Sequence, residues 1–352
     1  MGGTVDLLNF LNTPSYRNRV LAIGIGTAGC RIASQLQHMS NLIGKFVYVS
    51  CDEEDFPQST IGERVLIPLE VLGKVSPKVI RGATLKYLPY FDELLKDSFL
   101  IFLISGLGGS VGTGLAPFLA ERIHKSGAFG VGIFVMPFRF EKNKHFYAGT
   151  ALRKLKSSMD AMIIIDNDGI LESMGELPIR DSYRSINRLI ASALNSMIEA
   201  SAESELNVGI RKFIDTVRCN GYSILCLSRS SSTNRCEEAV IGAIRSLYRV
   251  ADPEKATKAI LFLMGGGVSA NEISMAVSRL NSLVGDGAVE IHYGVGNSLG
   301  TNSLLTVALL TSGFSKTKFD EYDPLSKIPY NIDDQLDISI DLELPNLERI
   351  DQ

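Results

Sequence analysis

A ten-residue run, Ser105-Gly-Leu-Gly-Gly-Ser-Val-Gly-Thr-Gly114, is half glycine. An apolar, strand-like segment, Phe99-Leu-Ile-Phe-Leu-Ile104, precedes it, and an amphipathic helix over Leu115 to Ile123 follows. Without Cβ atoms in the way, such a turn lets backbone N–H groups point inward, and the helix that opens after it adds a positive dipole end. The chemistry this suits is holding a chain of phosphates.

The surrounding sequence repeats the strand–turn–helix plan. Val20-Leu-Ala-Ile-Gly24, Phe46-Val-Tyr-Val49, Val131-Gly-Ile-Phe-Val135 and Met162-Ile-Ile-Ile165 are short aliphatic runs with helical stretches between them. That rhythm predicts an α/β fold with a parallel sheet covered on both faces. A long helix is read over Ile186 to Ser201, with Ile186, Leu189, Ile190, Ala193, Leu194, Met197 and Ile198 at helical spacing. Strand-like runs then restart at Ile224–Leu227, Ala259–Met264, Val289–Tyr293 and Leu304–Leu310, in a more α+β order. The simplest account is two domains joined by one long helix. Its parts are an extension over 1–18, a Rossmann-like nucleotide domain over 19–180, the helix over 181–203, a smaller α+β domain over 204–315, and a linker with an acidic tail over 316–352. Within the tail, Leu336, Ile338, Ile340, Leu342 and Leu344 alternate with polar or acidic residues, the period of a strand. Such a strand can lie on this chain's own sheet edge or add to a partner's.

Composition narrows the classes. The net charge is −4, which gives no electrostatic footprint for nucleic acid. Five cysteines occur without a Cys-x-x-Cys pair, which reads as reduced thiols and a cytoplasmic protein. No signal peptide or uncharged run of transmembrane length is legible. Met1-Gly2-Gly3 resembles a myristoylation start, but Asp6 does not fit it. No His/Cys cluster suggests a metal site.

A second glycine loop, Gly24-Ile-Gly-Thr-Ala-Gly29, lies between an apolar run and a helix over Cys30 to Gln37. Alone it reads as a G-x-G-x-x-G dinucleotide fingerprint, with Asp52 as the ribose acid of an NAD-type oxidoreductase. A dinucleotide fold needs one such loop. Two of them suggest one phosphate chain gripped from two sides.

At this point the residues resemble the tubulin/FtsZ superfamily, and FtsZ more than tubulin. Gly106-Leu-Gly-Gly-Ser-Val-Gly-Thr-Gly-Leu-Ala-Pro117 looks like the family's signature phosphate loop, and Val135-Met-Pro-Phe-Arg-Phe-Glu141 like its ribose-side loop. Ser76-Pro-Lys-Val-Ile-Arg81 resembles the segment that closes over the γ-phosphate, and Asp160 to Asp168 the strand that ends in Asn-Asp. The match runs in order from about 20 to 315. It implies a GTP- or GDP-binding cytoskeletal protein, with Mg²⁺ carried on the phosphates. Gly26, Thr27, Ala28 and Gly29 would lie under the α/β-phosphates. Gly108, Gly109, Ser110, Val111, Gly112 and Thr113 would donate backbone N–H groups. Glu141 would accept from a ribose hydroxyl, Asn167 would contact ribose or base, and Asn187 would pair with the guanine edge. Each has a plainer reading: Gly24, Gly26 and Gly29 as packing glycines, Glu141 as a solvated acid, Asn167 and Asn187 as helix caps. His145 replaces the family's usual Arg and reads as a surface residue.

The departures are as informative. The resemblance places catalytic acids after the central helix, reaching into the next subunit's pocket. Here Asn207-Val-Gly-Ile-Arg-Lys212 puts Gly209 and Lys212 at those positions. Glycine cannot orient a water, and lysine is cationic at neutral pH. Asp215, one turn on, looks too distant to substitute. Val111 replaces a Thr, and Arg188 stands where the family has an Asp acceptor for guanine. The expectation is a head-to-tail homo-oligomer, or a co-polymer with a related FtsZ-like chain, that hydrolyses GTP weakly or not at all and serves cell division or cell shape. A scaffold that does not polymerise is the alternative. Arg211 and Lys212 would face a neighbour's γ-phosphate. Leu344-Pro-Asn-Leu-Glu-Arg349 resembles the peptide by which FtsZ is held by membrane-tethering adaptors, which needs no membrane insertion of this chain.

Overall fold

The computed structural model describes residues 16–59, 61–69, 75–175, 178–199, 208–284, 289–296 and 303–327. The first half comprises β1 (Val20–Ile25), α1 (Gly26–Gln37), β2 (Lys45–Ser50), β3 (Glu63–Leu66), α2 (Pro77–Thr84), α3 (Leu88–Lys96), β4 (Leu100–Gly106), α4 (Ser110–Ser126), β5 (Phe129–Met136), α5 (Lys142–Lys156), β6 (Ala161–Asp166) and α6 (Asn167–Leu171). There follow α7 (Ile179–Ile198), α8 (Gly209–Val217), β7 (Tyr222–Ser230), α9 (Arg235–Val250), β8 (Lys258–Gly265), α10 (Ala270–Val284), β9 (Glu290–Gly296) and β10 (Leu305–Phe314).

The strands among the described residues form one sheet in the order β3-β2-β1-β4-β5-β6-β7-β10-β8-β9. From β3 to β7 every pairing is parallel, including β6 with β7, which carries the sheet from the first half of the chain into the second. Only β10 runs antiparallel to its neighbours, β7 and β8. The near-continuous apolar strands follow from burial on both faces. In β1, Leu21, Ile23 and Ile25 enter one core with Leu115 and Leu119 of α4, Leu152 of α5 and Val240 of α9. Val20 and Ala22 point the other way, into a core with Ile32 of α1, Ile190 and Leu194 of α7, and Phe213 of α8.

Two helices begin earlier than the sequence reading placed them. α4 starts at Ser110, inside the glycine run, because glycines at 112 and 114 pack tightly rather than break it. α7 starts at Ile179 and ends at Ile198, and its polar first turn, Arg180-Asp181-Ser182, hides the start from an apolar-periodicity reading. The alternating run at Leu336–Leu344 and the peptide at Leu344–Arg349 lie outside the described residues.

Candidate functional site

At the ends of β1 and β4 the chain turns straight into α1 and α4. The cap residues, Ile25 and Gly109, are extended and supply no side-chain cap. The first-turn N–H groups of a helix have no partner within it. Here these belong to Gly26, Thr27 and Ala28 on α1, and to Ser110, Val111 and Gly112 on α4. All six residues line one cleft of about 430 Å³. Two uncapped helix N-termini thus converge on a single space, with their dipoles adding.

The three predicted residues that do not line this cleft hold its walls. Thr113 N–H already bonds to Gly109 O at 3.0 Å, and Gly108 N–H donates to Thr113 Oγ1 at 3.0 Å. A Cβ on Gly29 would sit 2.2 Å from Ile104 O, so this glycine lets α1 lie against β4. Gly24 packs in the same manner, since a Cβ there would sit 2.7 Å from Gly29 O. Gly26 and Gly108 have φ of 63° and 94°, a region that favours glycine.

The rest of the cleft is polar, with Glu141, Lys144, Asn167, Tyr183, Asn187 and Arg31 among its lining. Glu141 accepts from Phe138 N–H at 3.0 Å, from Lys144 Nζ at 2.5 Å and from Tyr183 Oη at 3.0 Å. Burial pushes its carboxyl up, but these donors together outweigh burial and hold it below the usual carboxylate range. Glu141 is therefore a fixed, shared carboxylate and not a solvated one. Asn167 opens α6, but the cap is Asp166, whose Oδ1 accepts from Asp168 N–H at 3.1 Å. Asn187 lies in the third turn of α7, so it is not a cap either. Asn167 is 7% exposed and Asn187 6%, and both line the cleft.

Other expectations are corrected by the geometry. Asp52 is exposed and caps a short 3₁₀ turn by accepting from Glu54 N–H at 3.0 Å. It is Asp55 that reaches α1, accepting from Thr27 Oγ1 and Ser50 Oγ. His145 is half-buried rather than fully exposed: its ring stacks on Tyr322 at 4.0 Å between centroids, with Nε2 3.1 Å from Phe138 O. Arg188 is exposed and does not line the cleft. Tyr183, Lys144 and Arg31 were missed as site residues. Tyr183 lies one helical turn before Asn187, and that i, i+4 spacing was the available signal.

The remote loop begins outside the described residues at Asn207. Gly209 opens α8 with φ of 67°, and Arg211 and Lys212 are exposed beside it. Asp215 pairs with the Lys258 ammonium, which is also 3.7 Å from Glu290. His292 completes a cluster whose ligand atoms lie within 4.8 Å of one another, with the Lys258 ammonium already placed against both carboxylates. At the N-terminal ends of the parallel strands, a second cavity of about 500 Å³ is lined by Phe99, Gly127, Ala128, Asp160, Arg218 and Asn220, among others.

Residues 19–175 match the Tubulin/FtsZ family, GTPase domain. This part of the chain belongs to the tubulin/FtsZ family. The match spans β1 to α6 and therefore every element that supplies the two uncapped helix starts. Cell division protein FtsZ 1 of Pyrococcus horikoshii is 25% identical over 307 residues, covering 84% of this chain and 81% of that protein. Cell division protein FtsZ 1 of Methanocaldococcus jannaschii is 24% identical over 324 residues, covering 90% and 88%. Among solved structures, the empty FtsZ dimer of M. jannaschii superposes with a TM-score of 0.70 at 24% identity, over 89% of this chain and 92% of that one. The GTPγS-bound protofilament of CetZ2 from Haloferax volcanii gives 0.65 at 20% identity, over 88% and 98%. The fold is that of the tubulin/FtsZ family, and the family resemblance read from the two glycine loops is the one found. Among the described residues, no helix is long and apolar enough to cross a membrane.

Proposed function

We propose that the cleft binds GTP or GDP, with the phosphates on the six first-turn amides and the ribose and base toward Glu141, Asn167, Tyr183 and Asn187. The single observation that carries this reading is the convergence of two uncapped helix N-termini on one cleft. Amide N–H groups so placed suit phosphate oxygens, and Lys144 adds a cation to the lining. Glu141 is the one carboxylate among the described lining residues and is already held by three donors, so Mg²⁺ would arrive on the phosphates.

The protein assembles head to tail, as a homo-oligomer or with a related chain, in the cytoplasm, and serves cell division or cell shape. The nucleotide stabilises the contact and turns over slowly or not at all, because Gly209 and Lys212 cannot orient an attacking water. Arg211 and Lys212 instead offer positive charge toward a neighbour's terminal phosphate. The acidic tail, with its adaptor-like peptide, is the attachment point. The two-domain division at the central helix belongs to the same reading.

The test is calorimetric binding of GTP and GDP, with phosphate release and sedimentation on the same samples. Binding with GTP-dependent pelleting and background phosphate release is expected. Failure of either nucleotide to bind the folded protein would remove the reading. Binding without pelleting would favour a scaffold that keeps the site but does not polymerise.

A further inference from the structure

After β10 the chain makes a 3₁₀ turn at Lys318–Tyr322 that packs on α5, the helix whose first turn carries Lys144 of the cleft lining. Phe319 is fully buried, and the buried Asp323 carboxylate pairs with Arg153 of α5 at 2.5 Å. Asp320 accepts from Thr317 N–H at 2.7 Å and from Tyr222 Oη at 2.8 Å. Gly149 of α5 admits this segment, since a Cβ there would sit 2.4 Å from Asp323 N.

Two side chains of the segment reach the walls of the cleft, each through an intermediary. The Tyr322 ring stacks on His145, whose Nε2 is 3.1 Å from Phe138 O, and Phe138 N–H donates to Glu141. The Lys318 ammonium pairs with Asp166 at 2.5 Å, and Asp166 caps α6, on which Asn167 lines the cleft. Asp168, in the same turn, accepts from Arg139 N–H at 2.9 Å and so joins the two routes at the turn that carries Glu141. Asp166 is buried, so removing Lys318 would leave a buried carboxylate without its ion pair.

We infer that residues 317–323 are a latch that positions the ribose side of the cleft, with Tyr322 and Lys318 as positioning residues for nucleotide binding. The inference rests on the nucleotide reading above. Neither side chain lines the cleft, and each acts through a residue that holds its wall. Docking of the latch and occupancy of the cleft then favour each other by one common factor, because coupling between two equilibria is reciprocal.

Hydrogen exchange of the full chain with and without GTP tests this without any variant. Saturating GTP should slow the amides of residues 318–323 about tenfold, a usual size for such coupling, while those of α10 keep their rate. Unchanged exchange at 318–323, or slowing shared equally by α10, overturns the inference and leaves the nucleotide reading standing. Failure of GTP to bind the folded protein removes both. Gly149→Ala pushes the latch off at Asp323 without weakening α5, because alanine suits a helix interior better than glycine. Its GTP Kd by calorimetry should rise by the same factor of about ten. Tyr322→Leu and Lys318→Met should weaken binding in the same direction, whereas Tyr322→Phe and Lys318→Arg should keep it near wild type. Equal Kd values within either pair would remove the role given to that residue. Because wild-type exchange decides on its own, a variant that fails to fold does not shield the proposal.

Discussion

Thr113 Oγ1 accepts the Gly108 N–H at 3.0 Å and closes the glycine run on itself. Thr113 is buried, and replacing it by Val strands a buried donor at a cost of about 1–3 kcal/mol. Thr113→Ser keeps the acceptor. Urea denaturation should show a lower midpoint for Thr113→Val and recovery of most of the loss in Thr113→Ser. Equal losses in both would mean that the methyl group, not the hydroxyl, matters.

Two glycines of the site separate packing from binding. A Cβ on Gly29 would sit 2.2 Å from Ile104 O, so Gly29→Ala should destabilise the fold by about 3 kcal/mol through a backbone clash. Gly109 has nothing within 4 Å of a Cβ and has φ of −79°. Gly109→Ala should therefore stay within about 0.5 kcal/mol of wild type in stability. Its methyl group would enter the cleft, and nucleotide affinity should fall about tenfold, which is about 1.4 kcal/mol. Thermal unfolding and calorimetry on both variants check the split.

Glu141 makes the cleft sensitive to acid. Its carboxyl lies below the ordinary value of 4.5 in the folded state, because the Lys144, Phe138 and Tyr183 donors outweigh burial. A depressed carboxylate contributes stability that is present above the unfolded value and is lost as pH falls through the folded value. The loss is thus expected below pH 4.5 and not near neutrality. Removing one donor with Tyr183→Phe should move the Glu141 titration upward, toward that ordinary value. An NMR titration that shows no movement would show that the Tyr183 hydroxyl does not act on Glu141.

Restoring acids in the loop before α8 tests the account of slow turnover. Gly209→Asp with Lys212→Asp should raise GTP turnover by about 10²-fold if water positioning is what is missing. Gly209 has φ of 67°, so the Asp variant should also lose about 1–2 kcal/mol to left-handed backbone strain. Phosphate release that stays at background in a folded, assembling double variant would contradict the account.

Much of this was legible because it depends on local pattern. The central parallel strands β1, β4, β5 and β6 are almost entirely apolar since both faces are buried, and the two glycine loops mark the βα turns after β1 and β4. Reading beyond that failed where tertiary partners decide. No pattern separates the glycines that line the cleft from Gly29, which lies under Ile104, because both kinds sit in one motif. Asp52 looked like the functional acid by spacing, yet Asp55 is the residue bonded to Thr27, a choice made by the 3₁₀ turn between them. The start of α7 was hidden because Arg180, Asp181 and Ser182 carry no apolar signal. Asn187 consequently looked like a cap candidate when it is a third-turn wall residue.

α4 begins at the cleft, the proposed phosphate cradle, and ends at Gly127, which lines the cavity at the other end of the sheet. Its 17 residues, at about 1.5 Å each, make a rod of about 25 Å. The separation of the two ends is therefore gauged by hydrogen-bonded backbone and not by side-chain packing. For any partner seated against that far cavity, the cradle is at a fixed distance. A change at the cradle can reach the partner only by tilting or turning the rod, because the rod itself does not stretch.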